Sequence, residues 1–334
     1  MSRAGQTAPV AAANVAGMED AVPNPARRNT VMGMACAMGA SLIFSINDVS
    51  FKFLSGDFAL HELVLIRSSL GVIVMLSIIL PLNGGWGILR TKKPALHFGR
   101  ALLVVMSNLT YYLALAALPM ADGVALFYIT PLMITALSVP MLGEKVGPRR
   151  WAAVGVGLVG VLVMMRPGTS AFQIASVLPI LSAFFYAMMH MMTRRMKGTE
   201  SALTITFWVQ VTFIAVSILM GLAVGDGHLA QSTHPSLAFL FHAWTWPPPR
   251  DWAILLVVGL CSSFGGILIA QAYKLAEAAA IAPFEYVAMP IAVFWGFTVF
   301  DQWPDTISWI GISLICGAGL YAFWREAVRG GRAK

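Results

Sequence analysis

Charge is scarce in this chain. Of its 334 residues only 11% are Asp, Glu, Lys or Arg, while 58% are hydrophobic and the mean hydropathy is +0.76. A water-soluble domain carries about 25% charged and about 45–50% apolar residues. Polar side chains are too few to cover a water-facing surface of this size, which argues against a soluble enzyme. The same shortage argues against a nucleic-acid-binding protein, although the net charge is +7 and the pI is near 9.5. Cysteine is scarce too. Cys36, Cys261 and Cys316 are odd in number, scattered and set in apolar runs, as small core residues are, so neither a disulfide frame nor a metal site is expected. Paired carboxylates, a nucleophile elbow, H-E-x-x-H and G-x-x-x-x-G-K-[ST] are all missing, so no catalytic residue, ATP-driven pump or cofactor is expected. His228, His234 and His242 are irregularly spaced beside Trp244, Trp246 and Pro247–Pro249, which suits a membrane-interface segment better than a metal site.

Long apolar runs are abundant. A membrane-crossing helix needs roughly 20 mostly apolar residues. Ten segments qualify: 30–51, 61–81, 99–118, 121–142, 150–166, 174–193, 202–224, 252–274, 279–300 and 306–324. The first stretch, to about Asn29, lacks the compact apolar core of a signal peptide and is expected to be a disordered cytoplasmic tail. With that tail in the cytoplasm, the outer segments hold only Lys52, Arg166 and Arg250, and Arg67 lies within a span; the rest of the 22 basic residues fall inside. That asymmetry is the positive-inside pattern. The expected fold is an all-α integral membrane protein of ten transmembrane helices, with N- and C-termini cytoplasmic. Gly155, Gly157 and Gly160 spell G-x-G-x-x-G within an apolar span, where they read as small residues for close helix approach, as do Gly311, Gly317 and Gly319.

One half slides onto the other. At a single offset Trp151 falls on Trp309 and Tyr128 on Tyr286, while Pro131 meets Pro290 with one residue of slippage. A unit with an odd number of spans must be inverted when repeated. Such a pair places a solute site near the bilayer midplane, between the halves.

The stretches Pro119–Gly168 and Ala282–Glu326 resemble the EamA domains of the drug/metabolite transporter superfamily, and the likeness covers nearly all of the chain from residue 30 to 326. Within the superfamily the chain is most similar to the bacterial branch with S-adenosylmethionine and riboflavin uptake carriers. Asn47-Asp48 to Lys52, Arg67, Thr199-Glu200-Ser201 and Ala282 to Tyr286 carry that likeness. Gly143-Glu144 ends the fourth span, where the second half has Asp301-Gln302 instead. The resemblance implies two inverted five-helix repeats, at 30–168 and 169–326, flanked by the tail 1–29 and a basic cytoplasmic tail 327–334. It implies ATP-independent carriage of a small organic solute across the bacterial cytoplasmic membrane. An amino-acid or drug exporter on the same fold is the alternative, and a membrane-embedded enzyme or sensor a more distant one. Partners are the solute and the lipid bilayer; monomer and homodimer stay open.

Charges within spans are costly and mark candidate sites. Asp48 and Lys52, four apart, can pair as a structural charge cluster. Arg67 is a candidate docking charge for a solute carboxylate or phosphate. Glu285 is expected to face the space between the repeats with His190 or Gln271 as partner, and a Glu285–His190 pair is a candidate for proton coupling. Asn108, Tyr112, Tyr128, Gln210 and Tyr286 complete the expected solute-binding set, whose rings, hydroxyls and amides suit a flat heterocycle. Pro131 and Pro290 are expected to bend their helices.

Overall fold

The computed structural model describes residues 25–79, 81, 86–89, 91, 94–143, 146–170, 172–195, 201–275, 281 and 284–330. Among them every regular element is helical. The helices are α1 (Pro25–Leu54), α2 (Leu60–Val74, continued by a π-helical turn at Met75–Ile79), α3 (Pro94–Ala117), α4 (Met120–Phe127), α5 (Thr130–Leu142), α6 (Pro148–Met165), α7 (Val177–Arg195), α8 (Ala202–Val224), α9 (Pro235–Phe241), α10 (Trp252–Leu275), α11 (Ala288–Phe300) and α12 (Thr306–Gly330). Among the described residues eight stretches are long and apolar enough to cross a membrane, and Ala288–Phe300 and Thr306–Ala322 are shorter apolar helices. Helix α1 starts at Pro25, ahead of the expected residue 30. Proline is tolerated there because the first N–H groups of a helix have no partner within it. Glu144, Thr199, Glu200, Ala282 and Pro283 of the resembling motifs lie outside the described residues, as do residues 1–24 and 331–334 of the expected tails.

The outward faces are apolar. Ile73, Leu219, Leu222, Leu256, Phe294 and Phe297 are exposed, and Trp86, Trp151, Trp303 and Trp324 are exposed toward helix ends. Hydrocarbon accepts such faces, and tryptophan favours the headgroup level.

Two spans read as continuous are broken. Residues 121–142 divide into α4 and α5 at Tyr128–Ile129, and the 279–300 span turns at Tyr286–Val287 before α11. Each break lies just ahead of a proline, Pro131 or Pro290, which has no N–H to give and clashes with the carbonyl four residues back. For Pro131 that carbonyl belongs to Phe127, and Thr130 Oγ1 donates to it at 2.6 Å. Leu132 N and Met133 N both bond Ile129 O at 3.0 Å, so Tyr128 O loses its helical donor. Met289 N bonds Tyr286 O at 3.0 Å, which releases Glu285 O in the same way. Both broken segments then end in the left-handed conformation, α5 at Gly143 (φ 69°) and α11 at Asp301 (φ 54°). Glycine meets no steric penalty there and aspartate is among the few side chains that tolerate it.

Packing follows an exchange pattern. Helix α1 lies along α10 as α7 lies along α3, α2 meets α10 as α8 meets α3, and α5 meets α7 as α11 meets α1. Helices α2 and α8 pair with each other, as do α6 and α12. In the α6–α12 crossing a Cβ on Gly160 would come within 2.9 Å of the Ile315 and Leu314 side chains, and one on Gly311 within 3.0 Å of Gly160 O. Gly160 and Gly157 of the α6 run therefore serve helix contact, Gly157 meeting Leu132; Gly155 and Gly317 face open space, so for these two the close-approach expectation fails. The short α9 packs on α3 and α2, where Ser236 Oγ donates to Leu113 O at 2.7 Å. Beyond it Trp244 seats on Gly221 and His61, while His228 pairs with Asp226 and His242 Nδ1 meets the adjacent Ala243 O.

Candidate functional site

At one end of the site Asp48, on α1, faces two consecutive tyrosines of α3. Tyr111 Oη donates to Oδ2 at 2.9 Å and Tyr112 Oη to Oδ1 at 3.4 Å. Tyr112 Oη in turn accepts from Asn47 Nδ2 at 2.5 Å and from Arg67 Nη1 at 3.3 Å. The Arg67 guanidinium lies 5.1, 5.8 and 4.8 Å from the ring centroids of Phe51, Tyr112 and Phe213. It is buried, with its Nε unpartnered. Ring faces attract a cation by about 0.5–2 kcal/mol each, more when water is excluded. Arg67 thus sits behind Tyr112, and Asp48 and Tyr111 stand half-buried in front of it.

The expected Asp48–Lys52 pairing is corrected here. Lys52 Nζ turns away and donates to Leu115 O and Leu118 O, each at 2.6 Å, and lies 5.2 Å from the centroid of the Phe300 ring. The last carbonyls of a helix lack intrahelical donors and carry partial negative charge. Lys52 therefore caps the end of α3 and braces it against α11, while Asp48 finds its partners among phenols.

From Asp48 a run of rings crosses between the halves. Tyr111 meets Phe127 at 5.0 Å between centroids, and Phe127 meets Tyr128 at 6.1 Å and Tyr186 at 5.6 Å. Tyr128 lies 4.9 Å from Tyr286, and Tyr186 lies 4.7 Å from His190, whose ring is 6.0 Å from Tyr273. Tyr273 Oη donates to Glu285 Oε1. Asp48 and Glu285 are therefore the ends of one aromatic corridor. Phenol faces and hydroxyls of this kind are able to stack on and orient a flat polar solute, and carboxylates to accept hydrogen bonds or protons.

Glu285 accepts from Tyr273, a residue the sequence did not single out; the Tyr273 ring lies 6.0 Å from that of His190, and Gln271 is exposed. Tyr128 and Tyr286 meet at the breaks: Tyr128 Oη donates to Glu285 O at 2.7 Å and Tyr286 Oη to Tyr128 O at 3.3 Å. Asn108 is half-buried and returns its amide N–H to Val104 O of its own helix at 3.2 Å. Gln210 lies among α2, α8 and α10, where Nε2 donates to Ser262 Oγ at 2.6 Å and the amide fills the space beside Gly71. Phe127, Tyr186 and Tyr273 were missed by sequence reasoning. The four-residue spacing of Tyr186 and His190 placed them on one helix face and was a usable signal; Tyr273 had none.

Half-buried carboxylates linked by rings inside a bundle with apolar outward faces suit a polytopic membrane transporter. The profile of the EamA-like transporter family matches residues 31–166 and 173–324, and the chain belongs to that family, within the drug/metabolite transporter superfamily. It is a multi-pass protein of the bacterial inner membrane, a transporter rather than an enzyme. The chain is 27% identical over 299 residues to a riboflavin transporter of Rhizobium johnstonii, covering 90% of this chain and 93% of the relative. It is 26% identical over 305 residues to an S-adenosylmethionine uptake transporter of Rickettsia prowazekii, covering 91% and 96%. One solved structure shares the fold with a TM-score of 0.62 at 18% identity, covering 87% of this chain and 96% of that one.

Proposed function

We propose that the chain carries a small, flat, heterocyclic metabolite by ATP-independent alternating access. In this reading ten spans form two inverted repeats, at 30–168 and 169–326, with both termini cytoplasmic and flanking tails at 1–29 and 327–334. The exchange pattern of helix packing supports the inversion, and the positive-inside distribution supports the orientation. The observation that carries the solute class is the aromatic corridor between Asp48 and Glu285. Riboflavin and S-adenosylmethionine, the solutes named for relatives, both have planar ring systems. Tyr111, Tyr112, Phe127 and Tyr186 stack the solute, Asn108 borders it, and Tyr128 with Tyr286 closes the wall between the halves. Arg67 fixes Tyr112 and balances Asp48 from behind. Gln210 and Gln271 lie outside this set. Glu285, through Tyr273 beside His190, takes up the proton that biases the carrier between its states.

Reconstituted vesicles preloaded with riboflavin, S-adenosylmethionine or aliphatic amino acids test this reading. Counterflow of an unchanged heterocycle, slowed about tenfold in Asp48→Asn, supports it. Exchange of aliphatic amino acids alone overturns the solute class and favours an amino-acid exporter; chemical conversion of the solute overturns transport. Glu285→Gln is expected to flatten the pH dependence of exchange, and an unchanged rate and profile removes Glu285 from coupling.

A further inference from the structure

We infer that Tyr128 and Tyr286 form a reciprocal latch between the two helix breaks, acting as positioning residues that set the balance between the two access states. This rests on the alternating-access reading above and adds to it the element that holds one state.

Each tyrosine stands at the point where its own helix stops being helical, and each donates across to a backbone oxygen released by the other half's break. Tyr128 Oη bonds Glu285 O at 2.7 Å, the oxygen that Met289 N gives up; Tyr286 Oη bonds Tyr128 O at 3.3 Å, the oxygen that Leu132 N gives up. An unpaired carbonyl in hydrocarbon is expensive. The break in one half is therefore satisfied only with the other half in its present position. The rings lie 4.9 Å apart at 35°, and Tyr286 is buried. Its hydroxyl is seated on α12 by Gly319, where an added Cβ would fall 1.8 Å from it. Both phenols thus spend their donor on backbone, so the pair works by direction rather than by holding a solute. Rotation of either half-helix about its break separates hydroxyl from carbonyl, and the latch must open for the halves to exchange access.

The test measures distances between paired nitroxide labels on the cysteine-free protein in vesicles. One pair sits at Gly56 and Gln173 at one end of the bundle, the other at Arg28 and Ala95 at the opposite end, all exposed positions. The wild type should give two populations at each end, with weights that move oppositely. Tyr128→Phe and Tyr286→Phe keep the ring and delete one bond, and each should move the population ratio by about 2- to 10-fold away from the conformation described here. Gly319→Ala displaces the Tyr286 hydroxyl without altering either tyrosine and should move the ratio in the same direction. A merely structural role would lower the melting temperature in these variants and leave the ratio alone. Two wild-type populations with unchanged ratios in all three variants overturn the latch and leave alternating access standing. A single population at both ends, in wild type and variants alike, overturns alternating access and the latch with it.

Discussion

At the residue scale the intramembrane charges separate into two kinds of work. Lys52 spends its protons on two orphan carbonyls at the end of α3, so Lys52→Met is expected to destabilise the fold by about 1–3 kcal/mol. Denaturant unfolding in micelles reads that loss, while solute affinity should stay near wild type. Asp48 accepts from the Tyr111 and Tyr112 hydroxyls, and Asp48→Asn should slow exchange by about tenfold, the loss of one hydrogen bond to a charged group. Tracer flux beside a melting curve separates the two outcomes. Reading along α1 gives the spacing of Asp48 and Lys52 and nothing of what α3 offers them, so the sequence pairs them with each other and the fold does not.

At the element scale, helix ends and crossings hold the bundle. Gly160 on α6 admits α12 so closely that Gly160→Ala pushes Cβ onto Ile315, Leu314 and the Gly311 backbone. Overpacking of this kind costs about 1–3 kcal/mol, and thermal unfolding should show it. At the ends of the same pair Arg166 donates to Asp305, whose carboxyl it pulls down from 3.8 to about 2, with Ser308 N adding a bond at 2.8 Å. Because the folded value is the lower one, the stabilisation is complete above pH 3.8 and is lost as pH falls through about 2. The pair is exposed, so Asp305→Asn should cost no more than about 1 kcal/mol at pH 7. The gap between the two melting curves should close between pH 4 and pH 2. The spans that carry these elements were legible as apolar runs. The breaks at Tyr128 and Tyr286 were legible only as prolines, because a proline marks the missing N–H and not the residue at which the chain turns.

At the scale of the whole molecule, orientation is the expectation that binds the rest. Tags at both chain ends should react in inside-out vesicles and be protected in right-side-out ones, as the positive-inside distribution requires. Labelling of the two ends from opposite faces would reject the even number of spans, and with it the inverted halves. The exchange pattern of packing, in which α1 treats α10 as α7 treats α3, could be anticipated from Trp151 on Trp309 and Tyr128 on Tyr286. Helix α9, which lies within the second half and has no counterpart helix in the first, could not.

The chain's order alone determined lipid as its solvent, where helices run and pause, and the likeness to one transporter family. Each of these is a sum over many residues, and no single misread position changes it. The tertiary structure decided who partners whom: Asp48 with Tyr111, Glu285 with Tyr273, Tyr128 and Tyr286 with each other's freed backbone. The reason is rotational. Successive residues of a helix point about 100° apart, so a contact between two helices depends on how each is turned about its axis, and only packing fixes that turn.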